Sequence, residues 1–412
     1  MVIGRTDLTI GRFDVAVIGG GPAGAIAGWA LARGGVRVAI VDGSHPREKP
    51  CGGGVTARAL SLVGEALQDA AIERVAISSA RFEDAAGASA AVPLPTREYP
   101  AMIAAARSAF DGALLDAACR AGATLVPARA LDVALADGKI SVTTRAGHLS
   151  ADRVIGADGA NSLVRRRVAR PFRRDQLTLT TGYYAHGVRS REIIIRLISE
   201  PPGYLWSFPR PDHLAIGICA QADTAQVRPL RHLCAAWMRA SRIAPGARLQ
   251  AYSWPIPSLR PADFDTERPA DSRWLLTGDA AGLVDPMTRE GIYFALLSGL
   301  WSADAMLCAD GPKRYAARLR DEIYPELRRA ARLKTGFFEA WFTPLVIDAL
   351  TQSEAIRHVI ADFVAGAQPY RGLRRRLFST FEFGLAAKCA TSAIRARYTR
   401  RERARGLQGA SL

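Results

Sequence analysis

The stretch Phe13-Asp-Val-Ala-Val-Ile-Gly-Gly-Gly-Pro-Ala-Gly24 decides the fold of this chain. Its apolar run predicts a buried parallel strand, and the small residues that follow predict a helix reaching about Arg33. Val36–Val41 predicts a second strand, which an acidic residue ends. Strand, G-x-G-x-x-G turn, helix, strand and acid within about thirty residues is the pattern of a dinucleotide-binding unit.

Each part of this turn has a physical role in holding a dinucleotide. Gly19 permits the tight turn, Gly21 lets the backbone approach a pyrophosphate, and Gly24 lets helix and strand pack closely. The helix N-terminus offers amide donors and the positive end of its dipole to the phosphates. The acid is placed to accept hydrogen bonds from the adenosine ribose, although the turn alone does not separate NAD from FAD. The predicted binding residues are Gly19, Gly21, Pro22, Ala23, Gly24 and Asp42.

Three later segments bear on that choice. Arg107 opens a predicted helix. Asp158-Gly159 forms a polar turn after a strand that begins near Val154. Gly278-Asp279 follows another strand, and a helix then begins near Gly291.

With these segments, roughly residues 10–330 resemble the two-domain FAD enzymes of the para-hydroxybenzoate hydroxylase superfamily, because all three fingerprints stand in that order and spacing. The resemblance implies that FAD is the cofactor and that Asp279, with Gly278, holds its ribityl chain. Arg107 would hold the pyrophosphate. The helix that begins at Gly291 and Ile292 would direct its N-terminus at the flavin N1–C2=O.

Two points about the cofactor stay open in this resemblance. Asp158 either contacts FAD or braces the nucleotide domain. No second dinucleotide fingerprint follows the first, so the external electron donor is either NAD(P)H that binds transiently or a ferredoxin-like protein.

The expected fold is α/β, with a Rossmann-like FAD-binding domain, an inserted antiparallel β-sheet substrate domain and a C-terminal helical region. The discontinuous FAD-binding domain comprises residues 1–75, 99–170 and 270–330, and residues 76–98 and 171–269 form the sheet domain. Residues 331–412 form the helical region with a basic tail. A four- or five-stranded sheet would cover a pocket over the flavin. Its predicted strands are Leu177–Val188, Glu192–Ile198, Tyr204–Pro209 and Leu214–Ala220.

Two further motifs mark the pocket. Cys51-Gly52-Gly53-Gly54 forms a loop whose backbone can approach a flat ring closely. Pro201-Pro-Gly-Tyr-Leu-Trp-Ser-Phe-Pro209 places three aromatic side chains on one face of a strand, because alternate residues share a face. These three residues, Tyr204, Trp206 and Phe208, either form a substrate-binding wall or are core of the small sheet.

Together these motifs resemble the geranylgeranyl reductase family, whose signatures are a Cys-Gly-Gly loop and P-x-x-Y-x-W-x-F-P. Two positions depart from that pattern: Cys219 stands where a G-x-G usually ends, and Arg289 stands where relatives often have Gly. The resemblance implies that reduced FAD delivers hydride to a C=C bond of an isoprenoid lipid. Cys51, with Gly52 and Gly53, would form the catalytic loop, and its thiol would donate the proton.

Other readings of the chain remain open. A flavin monooxygenase or halogenase uses the same scaffold, although the halogenase pattern tryptophan-x-tryptophan-x-isoleucine-proline is absent. A basic membrane- or nucleic-acid-binding protein with a vestigial flavin fold is a third reading. Co-purification of a yellow cofactor separates the third reading from the first two.

The 412 residues carry a net charge of +16, and about +9 of it lies between Arg371 and Arg405. Such a tail binds an anionic membrane surface, binds nucleic acid or merely aids solubility, and an Arg-biased genome would also produce it. No nucleic-acid motif accompanies the tail, so we expect no nucleic-acid partner. A peripheral membrane contact is the partner that suits a lipid enzyme.

An apolar face lies in the predicted C-terminal helices at Phe337, Phe338, Trp341, Phe342, Leu345 and Val346. We expect this face to pack on the FAD domain; a lipid-facing entrance is the alternative. The six Cys lack a C-x-x-C, and the six His show no ligand spacing and no convincing Asp or Ser partner. No metal, no membrane span and a cytoplasmic location are therefore expected.

Overall fold

The computed structural model describes residues 8–95, 100–136, 138–382, 384–385 and 387–396. Its strands are β1 Thr9–Ile18, β2 Val38–Val41, β3 Gly54–Thr56, β4 Arg74–Ala76, β5 Ser79–Glu83, β6 Ser89–Pro93, β7 Met102–Ala105, β8 Thr124–Val126, β9 Ala130–Ala136, β10 Lys139–Thr144, β11 Gly147–Gly156, β12 Leu177–His186, β13 Glu192–Ser199, β14 Pro202–Pro209, β15 His213–Gln221, β16 Arg248–Pro257, β17 Ala270–Asp271 and β18 Trp274–Leu276. Its α-helices are α1 Pro22–Arg33, α2 Ala57–Ser61, α3 Arg107–Arg120, α4 Leu163–Val168, α5 Val227–Ala240, α6 Ile292–Met306, α7 Gly311–Arg318, α8 Tyr324–Phe337, α9 Thr343–Gln352, α10 Glu354–Val364 and α11 Leu373–Phe378.

The nucleotide-binding layer is an eight-stranded sheet in the order β17-β18-β11-β1-β2-β8, with β10 joining β11 to β9. The pairs β1–β2, β1–β11, β2–β8 and β11–β18 are parallel, as the buried apolar runs predicted. Helix α1 begins with Pro22 at its first turn, where a missing N–H costs nothing. A Cβ at Gly24 would overlap the carbonyl oxygen of Gly19, so glycine is required where this helix meets β1.

The second sheet has seven strands in the order β16-β12-β15-β14-β13-β5-β6. The four strands predicted from the sequence and the two in 76–98 are present, and β16 is the seventh strand. Strand β16 was missed because Pro255 and Pro257 argue against a strand, and an edge position tolerates them. The sheet is also not wholly antiparallel, since β5 runs parallel to β13.

The remaining elements join the two sheets. Strands β3, β7 and β4 form a small antiparallel sheet, which places the residues just after Cys51 in a hydrogen-bonded ladder. Helices α8 to α11 follow, as expected for a helical C-terminal region. Within the described residues, no helix has the length and apolar character needed to cross a bilayer.

The C-terminal aromatic face packs against the seven-stranded sheet. Phe338 is buried with Tyr204, Trp206 and Tyr252, and Phe337 and Val346 pack on the same cluster. The expectation that this face packs on the FAD domain was therefore wrong for Phe337, Phe338 and Val346. An amphipathic helix shows which of its faces is buried, but its sequence does not identify the surface it meets.

Candidate active site

One cavity of about 1480 Å³ runs between the two sheets. Small-molecule sites usually measure roughly 300–1,000 Å³, so this cavity has room for a large cofactor together with a long ligand. At one end it is lined by the turn Gly19–Ala23, and in the middle by the loop Cys51–Gly54. At the other end it is lined by apolar side chains of α9, α10 and α11.

The nucleotide end fits a flavin dinucleotide. Helices α1 and α6 both start at this cavity, with Gly21 and Gly291 as their N-caps. Neither N-cap has a side-chain hydrogen bond, and neither helix has an acid in its first turn. Their free amide donors suit the pyrophosphate and the flavin N1–C2=O, which are the anionic groups of reduced FAD.

Asp42 lies at the end of β2, and protein donors already surround its carboxylate. Gly20 N donates to Oδ2 at 2.7 Å, and Ser44 N and His45 N donate to Oδ1 at 2.6 and 3.0 Å. His45 Nδ1 lies 2.8 Å from Oδ2. Burial opposes the charge on Asp42, but these bonds outweigh it and hold the pKa of Asp42 well below its usual range. Its contact with ribose stays a prediction.

His45 lies between this acid and Asp111 of α3. Its Nε2 lies 3.6 Å from Asp111 Oδ2. Arg107 donates two hydrogen bonds to the same carboxylate, from Nε to Oδ1 at 2.8 Å and from Nη2 to Oδ2 at 2.7 Å. Burial works against a charged His45, but Asp111 and Asp42 raise its pKa above the usual value. The expectation that no His pairs with an Asp was wrong. The Asp-x-x-His spacing of Asp42 and His45 was the signal that sequence reasoning missed.

Arg107 is buried at the start of α3 and lines the cavity beside the Cys51–Gly54 loop. Burial opposes its charge, but Asp111 and Cys51 outweigh burial and raise the pKa of the guanidinium. Arg107 therefore has an interaction with the Cys51 sulfur in addition to its predicted contact with the pyrophosphate. Its role toward FAD stays a prediction.

The other two acids predicted to bind FAD, Asp158 and Asp279, have different partners. Asp158 caps α4: its carboxylate accepts from Ser162 Oγ at 2.5 Å and from Leu163 N at 2.6 Å. This favours the bracing role over a contact with FAD. Asp279 faces the cavity and pairs with Lys49 Nζ at 3.0 Å, which places a cation beside the predicted ribityl site.

The Cys51–Gly54 loop is shaped by side chains from the substrate sheet. Gly53 has a φ of +61°, and Gly53 N donates to Cys51 Sγ at 3.2 Å. Arg210 is completely buried and donates to the carbonyl oxygens of Cys51, at 2.8 Å, and of Gly52. A Cβ on Gly53 would overlap that guanidinium. Arg210 was missed from the sequence, although it follows the aromatic motif directly.

The aromatic motif lines the cavity opposite this loop. Tyr204, Trp206 and Phe208 all reach the cavity from β14, and the Trp206 and Phe208 rings meet edge to face at 5.9 Å. Tyr204 Oη donates to Thr288 O at 2.7 Å. A Cβ on Gly52 would lie 3.0 Å from the Phe208 ring, so loop and wall are in contact. Their role toward substrate stays a prediction.

A separate group lies at the end of β12 and the start of β15. The ligand atoms of His186, Asp212 and His213 approach within 4.8 Å of one another. His213 Nδ1 lies 2.7 Å from Asp212 Oδ1, so this histidine also has an acidic partner that the sequence did not suggest. This group lies outside the cavity lining.

Comparison with known proteins agrees with this geometry. The family model of the FAD binding domain matches residues 12–296, which is well over half of the chain. The fold and the nucleotide site thus define an FAD-dependent oxidoreductase.

Individual relatives narrow the class. The chain is 30% identical to geranylgeranyl diphosphate reductase of Nicotiana tabacum over 319 residues, which cover 71% of this chain and 66% of that protein. It is 32% identical to menaquinone reductase of Mycolicibacterium smegmatis over 72% of this chain and 76% of that protein. A geranylgeranyl bacteriochlorophyll reductase-like structure from Thermoplasma acidophilum superposes with a TM-score of 0.74 at 21% identity, covering 90% of this chain and all of that one. The chain therefore belongs to the geranylgeranyl reductase family.

Proposed function

We propose that this chain saturates C=C bonds of an isoprenoid lipid, with FAD as the hydride carrier. One observation carries the proposal: a single cavity joins a dinucleotide-type helix N-terminus to an aromatic, apolar compartment, and the Cys51 loop stands between them. An isoprenoid chain needs such an apolar compartment, since it offers few groups for hydrogen bonding. We also propose that the chain is divided into the FAD-binding domain, the sheet domain and the helical C-terminal region with the residue bounds predicted from the sequence.

Reduced FAD, when bound, supplies the hydride for one carbon of the double bond. Cys51 holds the proton at Sγ and donates it to the other carbon, so that two hydrogens add across the bond. The cation of Arg107 beside this sulfur then stabilises the thiolate that remains. Arg210 fixes the loop by its bonds to the carbonyls of Cys51 and Gly52, which keeps the sulfur in place.

The two electrons that reduce the flavin for each turnover come from a donor outside the chain. We propose NAD(P)H or a ferredoxin-like protein as the donor that reduces the flavin again. Stopped-flow reduction of the flavin by each candidate, followed at the flavin absorbance maximum, measures which donor the protein accepts.

Replacing Cys51 tests the chemistry. In Cys51→Ala we expect bound FAD to stay at the wild-type level while turnover falls about 100-fold or more, in the range typical of a lost general acid. Mass spectrometry of the lipid counts two added hydrogens per reduced bond. Cys308→Ala, in a free cysteine outside the cavity lining, is the matched control.

Two results would contradict the proposal. Wild-type turnover in Cys51→Ala would remove the proton-donor role. Oxygen consumed in step with lipid, with an oxygen atom in the product, would instead identify the monooxygenase reading.

We also infer that the protein, as a cytoplasmic enzyme, contacts a membrane peripherally at the C-terminal end of the cavity. Arg374, Leu377 and Phe378 of α11 line this end. Phe378 is 74% exposed and Ile394 is 66% exposed, beside a run of arginines. Exposed apolar side chains next to cations suit an anionic bilayer surface, where a lipid substrate enters. Part of the basic tail, residues 397–405, lies outside the described residues.

Vesicle flotation tests this contact. We expect the protein to float with phosphatidylglycerol vesicles and several-fold less with phosphatidylcholine vesicles. Phe378→Ser should reduce flotation several-fold while flavin content stays unchanged, and Leu249→Ser, at an exposed leucine outside the cavity lining, is the control. Equal flotation of wild type and Phe378→Ser would contradict the contact.

A further inference from the structure

Two histidines face each other across paired strands at one corner of the seven-stranded sheet. His186 ends β12 and His213 begins β15, and the antiparallel register aligns these two residues directly. Aligned residues point to the same face of a sheet, with Cβ atoms about 4.5–5.5 Å apart. The two imidazole rings accordingly lie with their centroids 5.4 Å apart. Strand pairing thus brings together two nitrogen ligands that no spacing along the chain reveals.

A carboxylate completes this group. Asp212, the residue before His213, places Oδ1 2.7 Å from His213 Nδ1. One side-chain atom from each of His186, Asp212 and His213 lies within 4.8 Å of the other two. Two imidazoles and a carboxylate are ligands that Zn²⁺ takes in proteins, at distances of about 2.0–2.2 Å. Tetrahedral ligands at those distances lie about 3.3–3.6 Å apart, so side-chain rotations that move these atoms by roughly 1 Å would close the set.

Few existing interactions oppose that rotation. The Asp212 side chain is 73% exposed. His186 makes one long contact, 3.4 Å from Nε2 to Gln250 Oε1. His213 Nε2 makes no hydrogen bond to any described residue, so the imidazole is held by Asp212 alone among the described hydrogen-bonding groups. A metal ion would therefore displace little when it binds.

His213 is the fixed member of the group. Its ring meets Tyr184 edge to face, with the centroids 5.4 Å apart. His213 O accepts from Arg210 N at 2.7 Å, and Asp212 O accepts from Gly187 N at 2.9 Å. The ring and the backbone of this turn are thus both held in place, which is what the surroundings of a metal site must do for its ligands.

The charges around the group allow a cation to bind. Asp212 supplies one negative charge. Arg248 of β16 is aligned with His186, but it is exposed, where water and salt screen its charge. A second cation, Arg210, directs its guanidinium at the carbonyls of the Cys51–Gly54 loop.

We propose that His186, Asp212 and His213 bind a divalent metal ion of the zinc class, with water as the fourth ligand. Two imidazole nitrogens select Zn²⁺, Co²⁺ or Ni²⁺ over Mg²⁺ and Ca²⁺, which prefer oxygen ligands. The ion would tie the end of β12 to the turn before β15, and Arg210 in this turn shapes the Cys51–Gly54 loop. The group lies outside the cavity lining, so the role of the ion is structural and does not depend on the proposed function.

Calorimetry with ZnCl2 on the tag-free, FAD-loaded full chain, treated first with a chelator, tests the site. The wild type should bind zinc, and His186→Ala and Asp212→Asn should each bind it at least about 10-fold more weakly, because each variant loses one of three ligands. All six cysteines remain in every variant, so thiolate binding does not account for a difference. His358→Ala is the matched control, since this exposed histidine has an acidic neighbour, Glu354 at 4.0 Å, but no third ligand among the described residues. It should bind zinc as the wild type does.

Two further measurements identify the ligands and the effect of the ion. Co²⁺ at this site should show the d–d absorption of nitrogen and oxygen ligands without a thiolate charge-transfer band, in difference spectra against the metal-free protein. Saturating Zn²⁺ should raise the melting temperature of the wild type by several degrees and that of His186→Ala much less, because an ion that binds the folded state stabilises it. Equal zinc binding by the wild type and both variants, or Mg²⁺ binding as tight as Zn²⁺ binding, would overturn the site.

Discussion

The two glycine-rich loops that line the cavity are built in different ways. The Gly19–Gly24 turn is held by its own main chain, since Gly24 packs directly on the carbonyl of Gly19. The Cys51–Gly54 loop is held by the end of β14 and the residue after it, about 160 residues away in sequence: Arg210 donates to two of its carbonyls and Phe208 covers Gly52. The conformation of the first loop therefore depends on residues within the nucleotide unit. The conformation of the second loop depends on where the substrate sheet lies. We therefore expect the Cys51–Gly54 loop, which we propose to be catalytic, to be the element that couples the cofactor site to the substrate sheet.

The strongest test of this difference is Gly24→Ala. The added Cβ would overlap the Gly19 carbonyl, so the turn must open and its amide donors move away from the phosphates. We expect the affinity for FAD to fall at least about 100-fold, measured by flavin fluorescence on dilution. Gly64→Ala, where the nearest atom is 4.0 Å from the new Cβ, is the control. A fully yellow Gly24→Ala protein would show that the turn is not the FAD site.

Gly53→Ala should separate the catalytic loop from the cofactor. The new Cβ would overlap the Arg210 guanidinium at a φ of +61°, so the loop must shift. We expect FAD content to stay normal while turnover falls about 100-fold, since displacement of a reacting group by about 1 Å has that effect.

A control variant outside this loop shows the effect of backbone strain without a displaced neighbour. Gly87 has a φ of +94° and open space around its Cβ, so Gly87→Ala introduces strain without a clash. Its turnover should be normal. Equal loss of FAD in Gly53→Ala and Gly24→Ala would mean that the two loops form one unit, against the comparison above.

The smallest effect concerns His45, which connects the two loops through Asp42 and Asp111. Its pKa is raised in the folded protein, so its stabilisation is complete below the ordinary value of 6.5 and is lost as pH rises through the raised value. The pKa of Asp42 is lowered in the folded protein, so its stabilisation has the opposite pH dependence. It is present above the ordinary value of 3.8 and is lost as pH falls below that value. Relative to His45→Gln, the wild type should therefore melt roughly 2 °C higher near pH 6, with the difference shrinking at alkaline pH. A difference that does not vary with pH would contradict this role.

Much of the nucleotide half could be predicted from the sequence, because its signals are local. The G-x-G-x-x-G turn, the strands on either side and the start of α3 at Arg107 are short-range patterns, and the family model agrees with them. The order of the later fingerprints identified FAD rather than NAD.

The rest depended on contacts between distant segments. Arg210 and the C-terminal aromatic face act through tertiary packing, for which neither periodicity nor spacing gives a signal. Strand β16 was missed since its prolines are tolerated only at an edge, and edge status is a property of the whole sheet. Arg289 was visible as a departure at a glycine position, but its guanidinium, which has no hydrogen-bond partner among the described residues, could be seen to be buried only with its neighbours in place.

The parallel pairing of β5 with β13 has a consequence for synthesis of the chain. Ala80 is aligned with Ile193, so the β5–β6 hairpin is made more than a hundred residues before its neighbouring strand. At translation rates of about 5–20 residues per second, the hairpin waits on the order of 10 s with an open edge. Helices α9 and α10, which cover β6, emerge later still. We expect nascent chains stalled before β13 to need chaperone protection, so that yield on expression should depend on conditions that slow elongation between residues 93 and 192.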